Sequence, residues 1–288
     1  MSTKALNRKN PEPGMYYGIS FEDYVEVSAV NNSVLKILTD QSPAHAKWYM
    51  ENGRPETPSL TFGSAVDCYL LEPQLFCKKY VTGPDCRRGT KEWKEFESTV
   101  PDGVEILKPE DMEKVIEIYN LVSQSEAIRV LHGGTSQVVL IWKDDPTGLI
   151  CKARLDYLNE DIPMITDLKT TQSADPDRFA RDVFKYKYFQ QAAFYVDGYR
   201  QITNIKYDCL FAFFAVEKEK PYVHSAMELG PKSMEVGRMA YRQALNKYAS
   251  CLKSGHWPPY LETIKIIEIP DWALVASGYT PYNETYRS

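Results

Sequence analysis

The sequence lacks close cysteine pairs. Its six cysteines, Cys68, Cys77, Cys86, Cys151, Cys209 and Cys251, are scattered through 288 residues with no C-x-x-C among them. That spacing fits small apolar residues in a reducing compartment, not a disulfide framework. No apolar run is long enough to span a bilayer. The opening residues 1–10 lack the apolar centre of a secretory leader, so a cytoplasmic location is expected. No G-x-x-x-x-G-K-[ST] loop occurs, which removes P-loop use of ATP. There is no internal repeat and no Gly/Ser linker, so residues 14–288 read as a single domain behind a loose polar lead, 1–13. A basic excess is missing too: 34 Lys and Arg face 39 Asp and Glu, a net charge of −5. A wholly basic nucleic-acid coat is thereby excluded, but a local positive track is not.

What is present is ordinary globular material, 43% hydrophobic and 25% charged, enough for a sizeable core. Residues 28–49 read as two helices, the second opened by Ser42 and Pro43. Residues 59–71 form a third. Residues 108–131 read as one amphipathic helix with Met112, Val115, Ile116, Tyr119 and Val122 inward, ended by His132-Gly133-Gly134. Strands follow at 137–142, 149–158 and 164–171. The first two are joined by a turn containing Asp144 and Asp145, the last two by a turn at 159–163. Asp175-Pro176 opens a helix read as continuous to Val196. Strands at 205–216 and 222–227 precede a long helix, 231–253, with Val236, Met239, Ala240, Ala244, Tyr248 and Leu252 inward. A last strand is expected at about 263–269. Helices first, then strands and helices in alternation, give an α/β fold with helical N-terminal additions.

The chemistry concentrates between Leu149 and Tyr195. Asp156 lies near the end of one strand and Asp167 in the next. Lys169, two residues beyond Asp167, leaves the same strand face. Carboxylate oxygens suit Mg²⁺ or Mn²⁺, and such an ion can activate water at a phosphodiester. An ammonium beside it can hold that water or balance developing negative charge. Edge-strand carboxylates salt-bridged to Lys169 and Arg154 would explain the same residues. Against that alternative, Asp is ill suited to strands, yet two occur in runs rich in Ile and Leu.

Asp156, Asp167-Leu168-Lys169 and Gln191-x-x-x-Tyr195 together resemble the PD-(D/E)xK nucleases of the RecB type. Gly14-Met-Tyr-Tyr-Gly-Ile-Ser-Phe-Glu-Asp-Tyr24, Phe62-Gly63-Ser-Ala-Val-Asp67-Cys-Tyr-Leu-Leu-Glu72-Pro73 and Gly255-His-Trp257-Pro258 are similar to the nuclease domain of RecE, exonuclease VIII, and its phage relatives. The resemblance spans nearly the whole chain from about Pro13. It implies a PD-(D/E)xK core, with a mixed central sheet flanked by helices. It further implies a 5′→3′ double-strand DNA exonuclease producing 3′ single strands for recombination by annealing. Asp156, Asp167 and the Leu168 carbonyl would bind metal, with two Mg²⁺ or Mn²⁺ per site. Lys169 would act on water, and Gln191 and Tyr195 would support the site. The expected partners are double-stranded DNA ends, a RecT-like single-strand annealing protein in a bacterial or phage-infected cell, and further copies of the chain in a cyclic homo-oligomer. No membrane is involved. An endonuclease or single-strand nuclease on the same core, or a decayed DNA-binding module, would share these motifs. Some RecB-type nucleases carry an iron–sulfur cluster; with only Cys209 and Cys251 after the core, none is expected here.

Asp67 departs from the pattern, since a histidine usually stands at this place in RecE-like chains. It reads either as a direct or water-mediated Mg²⁺ ligand or as a helix-surface carboxylate. Gly63 and Ser64, one turn earlier, would let that helix pack closely. Arg87, Arg88 and Lys91 lie in a basic loop entering a helix, and Arg178 and Arg181 lie on the helix after the second Asp. These five are candidate phosphate contacts or a solvated charged surface.

Overall fold

The computed structural model describes residues 6–53, 57–205 and 209–279. Strand β1 (Gly14–Tyr16) is followed by helices α1 (Phe21–Glu26), α2 (Asn32–Asp40), α3 (Pro43–Asn52), α4 (Pro58–Leu71) and α5 (Pro73–Lys79). Then come β2 (Tyr80–Thr82), α6 (Lys91–Glu97), β3 (Glu105–Leu107) and α7 (Pro109–Val122). A 3-10 helix (Glu126–Leu131) leads into β4 (Thr135–Lys143), β5 (Ile150–Asn159) and β6 (Met164–Thr171). Helices α8 (Pro176–Lys185) and α9 (Tyr188–Thr203), strands β7 (Leu210–Glu217) and β8 (His224–Glu228), and helices α10 (Pro231–Ser254) and α11 (Asp271–Ala276) follow.

Six strands form a mixed sheet in the order β1–β4–β5–β6–β7–β8. Only β6 and β7 are parallel, and the return between them is carried by α8 and α9. β2 and β3 form a separate parallel pair. The strands read as strands because their residues alternate between two apolar layers. Phe211, Phe213 and Ala215 face a core shared with α2, α9 and α10. Phe214 and Val216 face a second core under α4, α5 and α7. A smaller cluster sets Tyr16 and Tyr24 against Val139 and Ile141. Among the described residues no helix is long and apolar enough to cross a membrane.

Local signals place several starts. Thr57 and Asp175 accept backbone N–H bonds at the heads of α4 and α8, each with proline next. Ser42 precedes Pro43 as expected, but its hydroxyl bonds His45 Nδ1 at 2.7 Å and not an amide. Buried Lys152 joins α1 to β5. Its ammonium donates to the carbonyls of Tyr24, Val25 and Val27 at 2.8–3.0 Å, and burial pulls its pKa down to about 8.

Four expectations are corrected. Residues 108–131 are not one helix: α7 stops at Val122 and a 3-10 turn follows, with Ile118 buried and Ile116 39% exposed. The helix after Asp175 is two, because Lys187 adopts a left-handed φ of 56°. On α10 the buried face is Met234, Gly237, Tyr241, Ala244 and Leu245, while Val236, Met239 and Leu252 are exposed. Residues 263–269 form no strand; they are irregular and exposed, and α11 follows them. Of the lead expected to be loose, 1–5 lie outside the described residues, whereas Arg8 ion-pairs with Asp23 and Glu26 of α1. Residues 54–56 and 206–208, at expected helix and strand ends, also lie outside.

Candidate active site

The site forms where two paired strands part. β5 and β6 pair at Tyr157↔Thr166, Leu158↔Ile165 and Asn159↔Met164. The same register would set Asp156 opposite Asp167, but the ladder ends one pair earlier. On the far side of β5, Gln137 of β4 takes a left-handed φ of 58° where Asp156 would face it, so β5 is also unpaired there from β4. β6 stays anchored to β7 through Asp167↔Phe213 and Lys169↔Ala215. The Leu168 amide, released from β5, donates to Asp156 Oδ2 at 2.9 Å. Its own carbonyl lies 3.5 Å from Lys169 Nζ.

Asp167 is 2% exposed and both its oxygens are engaged. Gln191 Nε2 donates to Oδ1, and Lys169 Nζ ion-pairs with Oδ2. Gln191 comes from α9, which the Lys187 break aims at the sheet. Tyr188, on the first turn of α9, holds its ring centre 4.9 Å from Lys169 Nζ. Tyr195 stands one turn beyond Gln191 and shares its face. Burial, with the charges of Asp167 and Asp156 adding, pushes its phenol well above the ordinary range.

Asp67 arrives from α4. Gly63, one turn earlier, lets that helix close on β6: a Cβ there would lie 3.3 Å from Thr170 Oγ1. Ser64 is exposed and takes no part in the approach. Burial raises the Asp67 carboxyl well above the usual carboxylate range; Asp156 and Asp167 add to this and Lys169 opposes it. Burial, then the charge of Asp167, lifts Asp156 to about 7. For Lys169, burial favours the neutral amine but is outweighed by Asp167 and Asp156, so the ammonium is held charged.

Three acidic side chains thus share one poorly hydrated space, with like charge opposing like. Among the described residues no three His, Cys, Asp or Glu side chains stand close enough in this conformation to chelate an ion. Lys169 and the Gln191 and Leu168 N–H groups sit against the carboxylates instead. The donor chemistry nevertheless fits a hard divalent cation: acceptor-only oxygens from Asp67, Asp156 and Asp167, and the Leu168 carbonyl beside them. Such an ion would relieve the crowding of like charges around Asp67 and Asp156.

The structure therefore brings together Asp67, Asp156, Asp167, Leu168, Lys169, Gln191 and Tyr195. Among the described residues none of the five basic candidates is bonded to this group. Arg88 Nη2 donates to the Ile106 carbonyl at 3.0 Å and stacks on Trp93, fastening its loop to β3. Lys91 pairs with Glu95. Arg87, Arg178 and Arg181 are exposed. The salt-bridge alternative holds for Lys169 and Asp167 but not for Arg154, and neither β5 nor β6 is an edge strand. Tyr188 and Arg154 are the neighbours not singled out as site residues from the sequence. Arg154 was signalled by its period-2 spacing from Asp156; Tyr188 had no signal beyond its place near Gln191.

A family model described as a PDDEXK-like domain of unknown function (DUF3799) matches residues 32–270. No curated protein sequence matches the chain significantly. Among solved structures, one from Eubacterium rectale named "Putative exonuclease" is similar over 90% of this chain and 98% of its own, with a TM-score of 0.64 and 15% identity. That likeness concerns the fold. SSO0001 covers 80% of this chain and 96% of its own at 12% identity, but its TM-score of 0.29 carries no weight.

Proposed function

Because this chain belongs to the PDDEXK-like family DUF3799, matched over residues 32–270, we propose that it is a divalent-metal-dependent deoxyribonuclease. The observation that carries this reading is the opening of the β5–β6 ladder at Asp156 and Asp167, with Lys169 against the second carboxylate. Asp156, Asp167, the Leu168 carbonyl and Asp67 would hold Mg²⁺ or Mn²⁺. When bound, that metal supplies Lewis acidity toward the phosphoryl oxygen and a more acidic water. Lys169, held charged beside Tyr188, positions the attacking water and balances charge gathering on the phosphate. Gln191 fixes the rotamer of Asp167, and the neutral phenol of Tyr195 walls the site. The water loses a proton as its oxygen bonds to phosphorus, the P–O ester bond breaks, and the leaving oxygen takes up a proton to become a hydroxyl, giving one phosphate end and one hydroxyl end.

The finer reading is a 5′→3′ exonuclease on duplex ends, acting as a cyclic homo-oligomer beside a single-strand annealing protein. It is supported by the RecE-like motifs; the similarly folded E. rectale protein bears, through its name, on the exonuclease part alone. An enclosing ring would also suit processive travel along duplex DNA. The test is linear duplex labelled at either 5′ or 3′ ends, incubated with Mg²⁺ beside closed circular duplex. Release of 5′ label from linear DNA with the circle intact is expected. Nicking of the circle would establish the endonuclease alternative, and no cleavage with any divalent ion would leave a decayed binding module.

A further inference from the structure

Lys152 and Arg154 leave the face of β5 opposite Cys151, Ala153 and Leu155, and Asp156 follows two residues on, where the ladder opens. Lys152 is committed to α1, and Asp156 belongs to the carboxylate cluster. Arg154, between them, has no comparable partner. Among the described residues its guanidinium makes no hydrogen bond or ion pair, and its Nε is buried without an acceptor. Arg238 pairs with Asp197, Arg242 with Asp144 and Arg88 with the Ile106 carbonyl, while Arg87, Arg178 and Arg181 are exposed to solvent. A buried N–H left without a partner is costly and calls for an explanation.

The surroundings supply one. Phe21, at the head of α1, packs its ring 5.6 Å from the guanidinium, and α1 is itself clamped by Lys152. The guanidinium of Arg154 therefore has an aromatic ring beside it on a helix held to its own strand. The positive charge acts on both Asp67 and Asp156, yet bonds neither, so its fork of donors stays free at the edge of the cluster. A guanidinium matches the paired oxygens of a phosphate. Two strand residues separate Arg154 from Asp156, about 7 Å of strand, comparable with the spacing of successive phosphates in a nucleic-acid strand.

We propose that Arg154 grips the phosphate adjacent to the scissile one on the strand being cut, donating its guanidinium fork to the non-bridging oxygens. The identity of that polymer rests on the nuclease reading above. Arg154 is thus a substrate-positioning residue, and its neighbours Lys152 and Phe21 hold it in place.

The experiment compares wild type with Arg154→Ala, Arg154→Lys and Arg154→Gln, the last keeping the stem over Phe21. Substrates are duplex oligonucleotides carrying one uncharged methylphosphonate at successive linkages. Cleavage is followed in Mg²⁺. Binding is followed separately with the Asp156→Asn background, which removes turnover. Arg154→Ala and Arg154→Gln should raise KM and Kd about ten- to hundredfold, as for loss of charged hydrogen bonds, and more than they lower kcat. The salt slope of binding should fall by about one. Methylguanidinium should restore part of the loss, and Lys should restore charge without full affinity. A methylphosphonate next to the scissile linkage should harm wild type but not Arg154→Ala. If wild type cleaves and every Arg154 variant keeps its KM, Kd and salt slope, the proposal fails while the nuclease reading stands. If the methylphosphonate penalty is the same in both proteins, it fails likewise. If wild type binds DNA through Arg154 without cleaving, the grip stands and the nuclease reading falls. Neither binding nor cleavage overturns both.

Discussion

Lys169 and Asp167 touch in a largely buried site. Asp167 is held from the other side by Gln191, so the pair is oriented before any substrate arrives. A group that acts mainly on the transition state lowers kcat when removed and leaves ground-state binding largely intact. Lys169→Ala is therefore expected to lose about 10²- to 10⁴-fold in kcat with divalent-metal affinity kept, measured by isothermal titration beside steady-state rates. A change in DNA affinity alone would refute the role given to the lysine. Asp156 offers a test that needs no turnover. Folding raises its pKa from the ordinary 3.8 to about 7, so the folded protein binds this proton more tightly than the unfolded chain. The resulting stabilisation is complete below about pH 4 and is lost as pH climbs through 7; Asp67 is shifted in the same direction. In EDTA the melting temperature should fall between pH 5 and pH 8. Asp156→Asn should flatten much of that slope, and saturating Mg²⁺ at pH 8 should recover the loss. A pH-independent melt in EDTA would contradict the crowding of carboxylates. These residues were legible because strand periodicity put Asp167 and Lys169 on one face. Arg154 was less so, since an arginine in a strand reads as an ordinary surface charge until its lack of a partner is seen.

At the scale of elements, what the sequence conveyed well were starts marked by local chemistry, as at Pro43 and Pro176. What it conveyed poorly was the phase of helices whose contacts are made by small residues. On α10, hydropathy pointed to Val236, Met239 and Leu252, yet the helix turns Gly237 inward instead. A Cβ at Gly237 would fall 2.1 Å from the Phe189 carbonyl oxygen and 2.8 Å from the Cβ of Ala193. The helix pair α9–α10 is thus set by the absence of a side chain, which no count of apolar residues reveals. The consequence reaches the site, because α9 carries Tyr188, Gln191 and Tyr195. Gly237→Ala should force the helices apart and destabilise by about 1–3 kcal/mol, read as a lower urea midpoint at unchanged m-value. By displacing Gln191 it should also lower kcat more than an equally destabilising change on α7. Equal stability to wild type would mean that α9 and α10 are not in this contact. The break at Lys187 escaped the sequence for a similar reason: a non-glycine residue in left-handed backbone leaves no compositional mark.

For the whole molecule, the order of elements foretold an α/β sheet flanked by helices, but the tail shows where pattern alone misleads. Residues 263–269 have the β-branched composition of a strand, and the sheet gives them no neighbour. Ile264, Ile266 and Ile267 are more than 80% exposed and Trp272 is 75% exposed, whereas the chain just before them is anchored. Trp257 packs edge-on against Tyr248, the Pro258 carbonyl accepts from the Ala44 amide at 3.1 Å, and His256 lies 2.8 Å from Glu262. Ending the chain after Glu262 removes almost no buried apolar surface from the core, so the melting temperature should stay within about 2 °C of the full chain at equal concentration. Contiguous exposed apolar side chains on a globular protein mark contact surfaces more often than solvated ones. In the cyclic homo-oligomer proposed above, this segment offers a run of exposed large apolar side chains to a neighbouring copy. Light scattering should give a multiple of the chain mass for the full protein and a lower multiple after truncation, with cleavage becoming less processive on long duplex while each site still cuts. An unchanged mass would place the contact between copies elsewhere, and a large fall in melting temperature would mean that the tail belongs to the core of its own subunit.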